Sequence, residues 1–315
     1  MRDKKILITG GAGFIGSTLA NSLVSKNEVF VIDDLSMGKL SNLHESSNLT
    51  MIEGSVVDKE LLKNIFSENK FDYVFHLAAI ASVADSVSRP YETHQVNFDS
   101  TMTILELLKS NPQNLKRFVF SSSAAVYGND PSLPKIEESK ILPLSPYAVD
   151  KFSSERMALV YGNLYGLPVS ATRFFNVFGP NQNPNSPYSG IISILIDRLK
   201  SGRELTIFGD GEQSRDFVYV EDVVQALILI ADSNDTLGNV YNVGTGKATT
   251  LNELIKKVEE ISQKKIQVNY ASPREGDIHA SYSDITKLRE IGFSPRFSLI
   301  EGLNSYLSSE VSGKF

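Results

Sequence analysis

Between Lys5 and Leu23 the chain runs from a short apolar segment, through Gly10-Gly11-Ala12-Gly13-Phe14-Ile15-Gly16, into a stretch of helical period. No other feature narrows the fold as far, because a strand entering a helix through so many glycines needs bare backbone where side chains would not fit. In such a turn Gly10 makes the tight bend, Gly13 lets another molecule approach the main chain, and Gly16 lets helix pack on strand. The first N–H groups of the helix then face outward at the positive end of its dipole, a seat for phosphate. Glycine turns also punctuate ordinary loops; the discriminating addition is Asp33, which closes the run EVFVID 23 residues after Gly10. A carboxylate there accepts both ribose hydroxyls and repels a 2′-phosphate, so the pattern predicts a dinucleotide site that prefers NAD to NADP. Asp34 is a rival for the ribose role, and Thr9, at a strand end, fits simple packing.

Short runs rich in Val, Ile and Phe alternate with helical segments along most of the chain, the pattern of βαβ units around a parallel sheet. Strands are predicted near 4–9, 28–33, 73–77, 117–121, 168–172 and 239–243. Between them Ile15, Leu19 and Leu23 share a helix face, as do Leu61 with Ile65 and Ile104 with Leu108. The reading is a doubly wound α/β fold. Alternation stops after Arg173, where 176–190 is dense in Asn, Pro and Gly and predicts a long ordered excursion. Helical stretches at 221–232 and 251–262 flank a further strand, so the chain returns to the sheet before ending in a smaller unit. The expected division is a dinucleotide-binding domain of residues 1–173 and 213–245 and a discontinuous substrate domain of 174–212 and 246–315, with the terminal SSEVSGKF frayed.

Composition removes several classes of function. With 41% hydrophobic and 22% charged residues among 315, the chain is a folded globular protein rather than a disordered one. A net charge of −6 with dispersed Lys and Arg offers no basic stripe, so nucleic acid is not an expected partner. The absence of cysteine excludes disulfides, thiolate nucleophiles and cysteine-ligated zinc. His44, His76, His94 and His279 have no metal-ligand spacing, and no metal is predicted. The run Ile6–Ile8 is too short for a signal segment and no stretch approaches a bilayer span, so a soluble cytoplasmic protein is expected.

Ser145-Pro146-Tyr147-Ala148-Val149-Asp150-Lys151 opens a helical pattern that runs to about 164. Tyr147 and Lys151, four apart, share a helix face. A phenol is a poor base at neutral pH until a positive charge stabilises its anion, and an ammonium together with a nicotinamide ring could do so. By itself such a pair also describes an amphipathic helix with a snorkelling lysine. The run RFVFSSS adds Ser121, Ser122 and Ser123 at the carboxyl end of a strand, the edge where open α/β sheets bind ligands. Serines there usually cap or turn; beside the Tyr/Lys pair a hydroxyl can hydrogen-bond a reacting oxygen.

Taken in order, Gly-Gly-x-Gly-Phe-Ile-Gly, the strand-end serines, Tyr-x-x-x-Lys and the later Arg-Phe-Phe-Asn resemble the extended short-chain dehydrogenase/reductases, and within them the UDP-galactose (UDP-glucose) 4-epimerase family. The similarity runs from Lys5 to about Phe297. It implies a Rossmann domain holding NAD, with Gly10, Gly13, Phe14, Ile15 and Gly16 at the pyrophosphate, and Asp33, Asp34, Leu35, Ser36, Gly38 and Lys39 around the adenosine ribose. It puts Ser55 and Val56 beside adenine, Ser55 standing where relatives usually carry Asp. Leu77, Ala78, Ala79 and Ala81 would line the cofactor, Ala81 where some relatives have Lys, with Asn97 bracing the nicotinamide side and Ser121 and Phe174 among the contacts.

For a UDP-sugar substrate the resemblance implies Asn176 on the diphosphate with Arg215 as charge partner, a role that suits the guanidinium fork. Arg274 and Asp277 would meet diphosphate and uridine ribose, Phe208 would pack on uracil, and Ser82 and Gln213 would complete the contacts. The implied cycle has Tyr147, with Ser123 and Lys151, removing the 4-hydroxyl proton as hydride passes to NAD, then reversing both on the other face of a 4-keto sugar. Dehydrating relatives need an acid after the strand-end hydroxyl, where this chain has Ala124 and Ala125. Ser281 stands where epimerases restricted to glucose and galactose tend to carry tyrosine, which leaves room for an N-acetyl group. A glucuronate 4-epimerase and a non-catalytic NAD-binding scaffold are the competing readings, and a homodimer through 97–110 and 147–164 is implied by analogy.

Overall fold

A computed structural model describes residues 1–111, 114–183, 190–273 and 278–312. The first half comprises β1 (Lys5–Thr9), α1 (Phe14–Leu23), β2 (Glu28–Asp33), β3 (Leu49–Glu53), α2 (Lys59–Glu68), β4 (Tyr73–His76), α3 (Val83–Ser88), α4 (Pro90–His94), a π-helical turn Gln95–Asp99, α5 (Ser100–Ser110), β5 (Arg117–Ser123), α6 (Pro146–Tyr165) and β6 (Val169–Phe174). There follow β7 (Asn176–Phe178), α7 (Ile191–Ser201), β8 (Leu205–Phe208), β9 (Ser214–Arg215), β10 (Phe217–Tyr219), α8 (Val220–Asp232) and β11 (Val240–Val243). The chain closes with β12 (Thr249–Thr250), α9 (Leu251–Ser262), β13 (Val268–Ala271), β14 (Ala280–Ser281), α10 (Thr286–Glu290) and α11 (Leu299–Ser312).

Seven parallel strands form one sheet in the order β11-β6-β5-β4-β1-β2-β3. The order reverses between β1 and β4, which opens a crevice at their carboxyl ends. Alternate residues serve opposite faces. Ile6, Ile8, Val29, Val31, Phe75 and Val119 pack under Leu19 and Leu23 of α1 and Val223, Leu227 and Ile230 of α8. Leu7, Phe30, Ile32, Val74, Phe118 and Phe120 pack under Leu62 and Ile65 of α2, Ile104 and Leu108 of α5 and Leu159 of α6. Burial on both faces is why these strands read as continuous apolar runs.

A separate core joins Phe178, Ile192, Leu195, Leu205 and Ile207 to Leu254, Val258, Leu303 and Tyr306. Phe14 and Ile15, at the start of α1, pack against it. The sheet strands occupy the predicted places, and β5 and β6 extend two residues further, to Ser123 and Phe174. The sequence reading lacks β3: LTMIE is a half-buried edge strand without a continuous apolar run. The Asn/Pro/Gly-rich excursion begins with a true strand, β7, paired with β10, and 184–189 within it lie outside the described residues. Of the end predicted to fray, the part through Ser312 is helical, in α11, and 313–315 lie outside the described residues.

Candidate active site

The glycine turn leaves β1 with Gly10 at φ +68°, and a Cβ there would lie 2.8 Å from the backbone of Ala78. At Gly16 it would stand 2.1 Å from the Gly10 carbonyl oxygen. The turn is therefore closed to larger residues at both positions. Gly13 is the N-cap of α1 and provides no side-chain oxygen, whereas α2, α3, α6 and α9 are capped by Asp58, Ser82, Ser145 and Thr250. Phe14, Ile15 and Gly16 thus begin a helix whose first N–H groups have no side-chain cap, as in α4, α5, α7 and α8.

Asp33 is buried beside this turn, its Oδ2 accepting from Ala12 N at 2.9 Å and its Oδ1 from Leu35 N at 2.9 Å. Burial pushes its carboxyl above the usual range, with those backbone bonds opposing. The loop through Lys39 folds back over the glycines: Lys39 N donates to Ala12 O at 3.0 Å, and a Cβ on Gly38 would sit 2.8 Å from Asp33 Oδ1. Asp34, the rival, turns outward and accepts from Ser36 N and Ser36 Oγ. Thr9 does more than pack. Its hydroxyl bonds His76 Nδ1 at 2.7 Å and accepts from Ala78 N at 3.2 Å, while its carbonyl accepts from Leu77 N, so it directs the chain from β4 past the turn. Burial, then Lys151, depresses His76 to about 3.

Ala79 is part-buried and Ala81 exposed in the segment that follows. Asn97 clasps the residue between them, its Oδ1 accepting from Ile80 N at 2.8 Å and its Nδ2 donating to Ile80 O at 3.1 Å. It does so from the π turn, a local insertion of the kind common at functional sites. Ser154 of α6 donates to the Asn97 carbonyl at 2.8 Å, which ties this brace to the Tyr147 helix. Val56 is buried under the sheet, and the Ser55 carbonyl accepts from Asp58 N. Ser82, implied for substrate, has its Oγ accepting from Asp85 N as the α3 cap.

Helix α6 opens on Pro146, with Ser145 Oγ accepting from Ala148 N, so its first turn is fixed and Tyr147 and Lys151 lie one turn apart, both buried. Ser123, at the end of β5, favours the anion of the Tyr147 phenol, but burial outweighs this and pushes the phenol above its ordinary value. Lys151 Nζ donates to Ser121 O at 2.8 Å and lies 5.1 Å over the Phe120 ring; burial pulls it down to about 7, with Asp150 opposing. Ser121 Oγ in turn donates to His76 O. The ammonium addresses the Ser121 carbonyl, and the phenol, raised by burial, needs positive charge to become a base. Phe174 ends β6 opposite Ser123.

Across the crevice β14 pairs with β9, which puts Ser281 beside Arg215. Arg215 Nη1 donates to Ser214 O at 2.8 Å, Gln213 Nε2 to Phe208 O at 2.7 Å, and Asn176 N to Asp216 O at 2.9 Å. Asp216 is the residue the sequence reading lacks. Fully buried, it accepts from Thr245 N, Thr245 Oγ1, Gly246 N, Ser283 N and Ser283 Oγ. Its signal was present as the acid after Arg215 in GEQSRDF, where an Arg-Asp pair reads as a solvated ion pair. Arg274 and Asp277 lie outside the described residues.

Residues 6–244 match the model of the NAD dependent epimerase/dehydratase family. The chain belongs to this family. A UDP-glucose 4-epimerase from Mycolicibacterium smegmatis is 36% identical over 305 residues, covering 95% of this chain and 96% of its own. Among solved structures, a UDP-N-acetylglucosamine 4-epimerase from Methanobrevibacter ruminantium M1, in complex with UDP-N-acetylmuramic acid, superposes with a TM-score of 0.94 at 41% identity, covering 99% of this chain and all of that one. A UDP-glucuronic acid 4-epimerase from Bacillus cereus, in complex with UDP-glucuronic acid and NAD, gives 0.89 at 30% identity, covering 98% and 99%.

For a member of the NAD dependent epimerase/dehydratase family, the cofactor edge fits its dinucleotide: an uncapped α1, glycines that admit no Cβ, and a buried acid at the end of β2. After Ser123 the chain makes a short 3-10 turn, Ala124–Tyr127, whose first two residues are alanines. Behind it Arg173 donates to both oxygens of Glu155, at 2.6 and 2.9 Å, and to Tyr127 Oη at 2.9 Å, a buried network that fixes β6 to α6. Among the described residues no helix is long and apolar enough to cross a membrane.

Proposed function

We propose that this epimerase-family member is an NAD-dependent UDP-hexose 4-epimerase in which Tyr147, Ser123 and Lys151 do the chemistry. The observation that carries the reading is the buried Tyr147 phenol, its anion favoured by Ser123 at the carboxyl end of β5, one helical turn from Lys151. A bound nicotinamide would supply the acceptor and then the donor of hydride for sugar carbon 4. Tyr147 removes the 4-hydroxyl proton and later gives one back, Ser123 hydrogen-bonds the reacting oxygen, and Lys151 holds positive charge beside both. Because burial favours the neutral phenol, Tyr147 becomes a base only where that charge is present. Tyr147→Phe should lower kcat by at least about 100-fold. Near-normal turnover in a coupled UDP-glucose assay would sink the assignment. NAD released in stoichiometric amount on denaturation, together with turnover, separates the enzyme from a non-catalytic scaffold.

The cofactor unit is assigned to residues 1–173 and 213–245 and the substrate unit to 174–212 and 246–315. On the substrate side Asn176, Arg215, Arg274 and Asp277 are assigned to the diphosphate and ribose, with Phe208 toward uracil. Ser281, small and beside Arg215, supports activity on UDP-GlcNAc/UDP-GalNAc as well as UDP-Glc/UDP-Gal. Ser281→Tyr should remove the acetylated pair and spare the other; equal loss on both contradicts the gate. Likeness to a glucuronate 4-epimerase makes UDP-glucuronate the necessary third substrate in that comparison. A homodimer is supported by exposed Val87, Tyr91, Leu164 and Tyr165 on α3, α4 and α6.

A further inference from the structure

The sheet order reverses between β1 and β4, and these two strands end in register on Thr9 and His76. The His76 imidazole is buried with both nitrogens engaged: Nδ1 lies 2.7 Å from Thr9 Oγ1, and Nε2 lies 3.0 Å from Thr101 Oγ1 and 3.5 Å from Ser100 Oγ, both on α5. Groups without a choice fix the direction of these bonds, since a backbone N–H only donates and a carbonyl only accepts. Ala78 N donates to Thr9 Oγ1 at 3.2 Å, so the Thr9 proton is free for Nδ1. Thr101 Oγ1 donates to Asn97 O at 3.1 Å, and Ser100 Oγ donates to Val96 O. Neither hydroxyl has a proton left for the ring, and Nε2 must bring its own. The imidazole is therefore the neutral Nε2–H tautomer. An imidazolium would turn a second N–H on Thr9 Oγ1 and leave the Thr9 proton without an acceptor among the described residues. Burial acts in the same direction, and so does Lys151, whose Nζ lies 5.1 Å over the Phe120 ring, itself 5.9 Å from the imidazole; together they hold His76 at about 3.

The Thr101 proton ends on a carbonyl that α6 also uses. Asn97 O accepts from Ser154 Oγ at 2.8 Å, while the Asn97 amide clasps Ile80. At the other end Thr9 O accepts from Leu77 N, and Thr9 Oγ1 from Ala78 N. The segment leaving β4 is thus pinned at Leu77 and Ala78 and again at Ile80. The imidazole joins the two pins to each other and, through Asn97 O, to the helix of Tyr147 and Lys151. Its own backbone carbonyl accepts from Ser121 Oγ at 3.0 Å, and Ser121 O accepts from Lys151 Nζ. We propose that His76 is a positioning residue for hydride transfer: as a neutral Nε2–H imidazole it sets segment 77–81 in register with the helix that carries Tyr147 and Lys151. The proposal rests on the reading of that segment as lining NAD and of Tyr147 as the base. His76 acts through Thr9 and Thr101 rather than at the reacting atoms. Because a misplacement of about 1 Å costs on the order of 100-fold in rate, a loosened segment should slow the reaction before it releases the cofactor.

Two measurements test this on the full-length, NAD-loaded protein. Nitrogen-15 spectra of histidine-labelled parent protein at neutral pH should show one exchange-protected imidazole with a proton on Nε2 and none on Nδ1. A buried ring protonated on Nδ1, or on both nitrogens, overturns the proposal. The second measurement is kcat per bound NAD, with KM for UDP-glucose and melting temperature alongside. Thr101→Val keeps the side-chain shape but removes the acceptor of Nε2–H and the donor to Asn97 O. It should lower kcat by about 10- to 100-fold, with KM within about twofold of the parent and NAD retained, and Thr101→Ser should return kcat to within about threefold. A merely structural role would lower the melting temperature and leave kcat per bound NAD at the parental value, which overturns the proposal. If Thr101→Val does not fold, Ser154→Ala decides, because it cuts the same chain of bonds at α6. A kcat lowered by about threefold or more at unchanged KM supports the proposal, and a parental kcat overturns it. Tyr147→Phe separates the two failures: turnover retained there removes the underlying reading, whereas an inactive Tyr147→Phe beside a fully active Thr101→Val removes the role of His76 alone.

Discussion

Asp33 and Asp216 are buried carboxylates of the same kind on opposite sides of one crevice, and they gather very different parts of the chain. Asp33 accepts N–H groups from Ala12 and Leu35, at sequence separations of 21 and 2. Asp216 accepts from Thr245, Gly246 and Ser283, at separations of 29, 30 and 67. The first belongs to a single β-turn-α-β unit that creates its own site as it folds. The second ties three excursions together, and Arg215 and Ser281 become neighbours because of it. The edge proposed for the dinucleotide can therefore form locally, while the edge proposed for the substrate exists only after long loops have closed, with the entropy that closure costs.

The contrast can be broken most forcefully at Asp216. Alanine there leaves three N–H donors and two hydroxyls without an acceptor, one of each fully buried at Ser283, which should cost on the order of 3–5 kcal/mol. Urea unfolding measures this. If the two edges are independent, protein that remains folded should keep its NAD while KM for the UDP-sugar rises; parallel loss of NAD would show that they are not. A smaller effect is expected at Gly16. Its alanine Cβ would meet the Gly10 carbonyl oxygen at 2.1 Å, so the turn must shift, at about 1–3 kcal/mol. Bound NAD should fall sharply in this variant, whereas a reloaded enzyme should show an unchanged KM for the sugar nucleotide.

The same contrast governs what the sequence makes legible. Glycine spacing, the acid closing β2 and the Tyr147–Lys151 interval lie within single elements, so periodicity and residue type expose them. β3 escapes because an edge strand half in water carries no continuous apolar run. The pairing of β9 with β14 escapes for a stronger reason: each is two residues long and has no period, and neither contains a sign of the other. Arg215 and Ser281 are reachable only through resemblance, and Asp216 shows only as an acid that its neighbour Arg215 makes look like half of a solvated pair. Within α6 the spacing places Lys151 on the Tyr147 face, but the direction of its ammonium depends on the Ser121 carbonyl, which arrives from β5.

The smallest effects sharpen the comparison most, because they set helix caps against ligand seats. Helix α9, on the substrate edge, has a full capping box: Glu253 N donates to Thr250 Oγ1 at 3.1 Å and Thr250 N to Glu253 Oε2 at 3.0 Å. Thr250→Ala should cost about 1 kcal/mol and leave bound NAD unchanged. Helix α1 starts at Gly13 with no such bond, although its φ of −75° and ψ of −176° would accept serine, whose Cβ would meet only the Gly10 carbonyl oxygen, at 3.2 Å. A hydroxyl there could accept from Ile15 or Gly16 N–H, the groups assigned to the pyrophosphate. Gly13→Ser should change the stability of cofactor-free protein by only a few tenths of a kcal/mol, cap gain set against crowding. Its bound NAD, however, should drop well below that of the parent. Melting curves of stripped protein and NAD content of freshly purified protein measure the two halves of this prediction. A Gly13→Ser protein that retains its NAD would mean that the missing cap is incidental; loss of NAD at unchanged stability means that the open helix end is kept for the ligand.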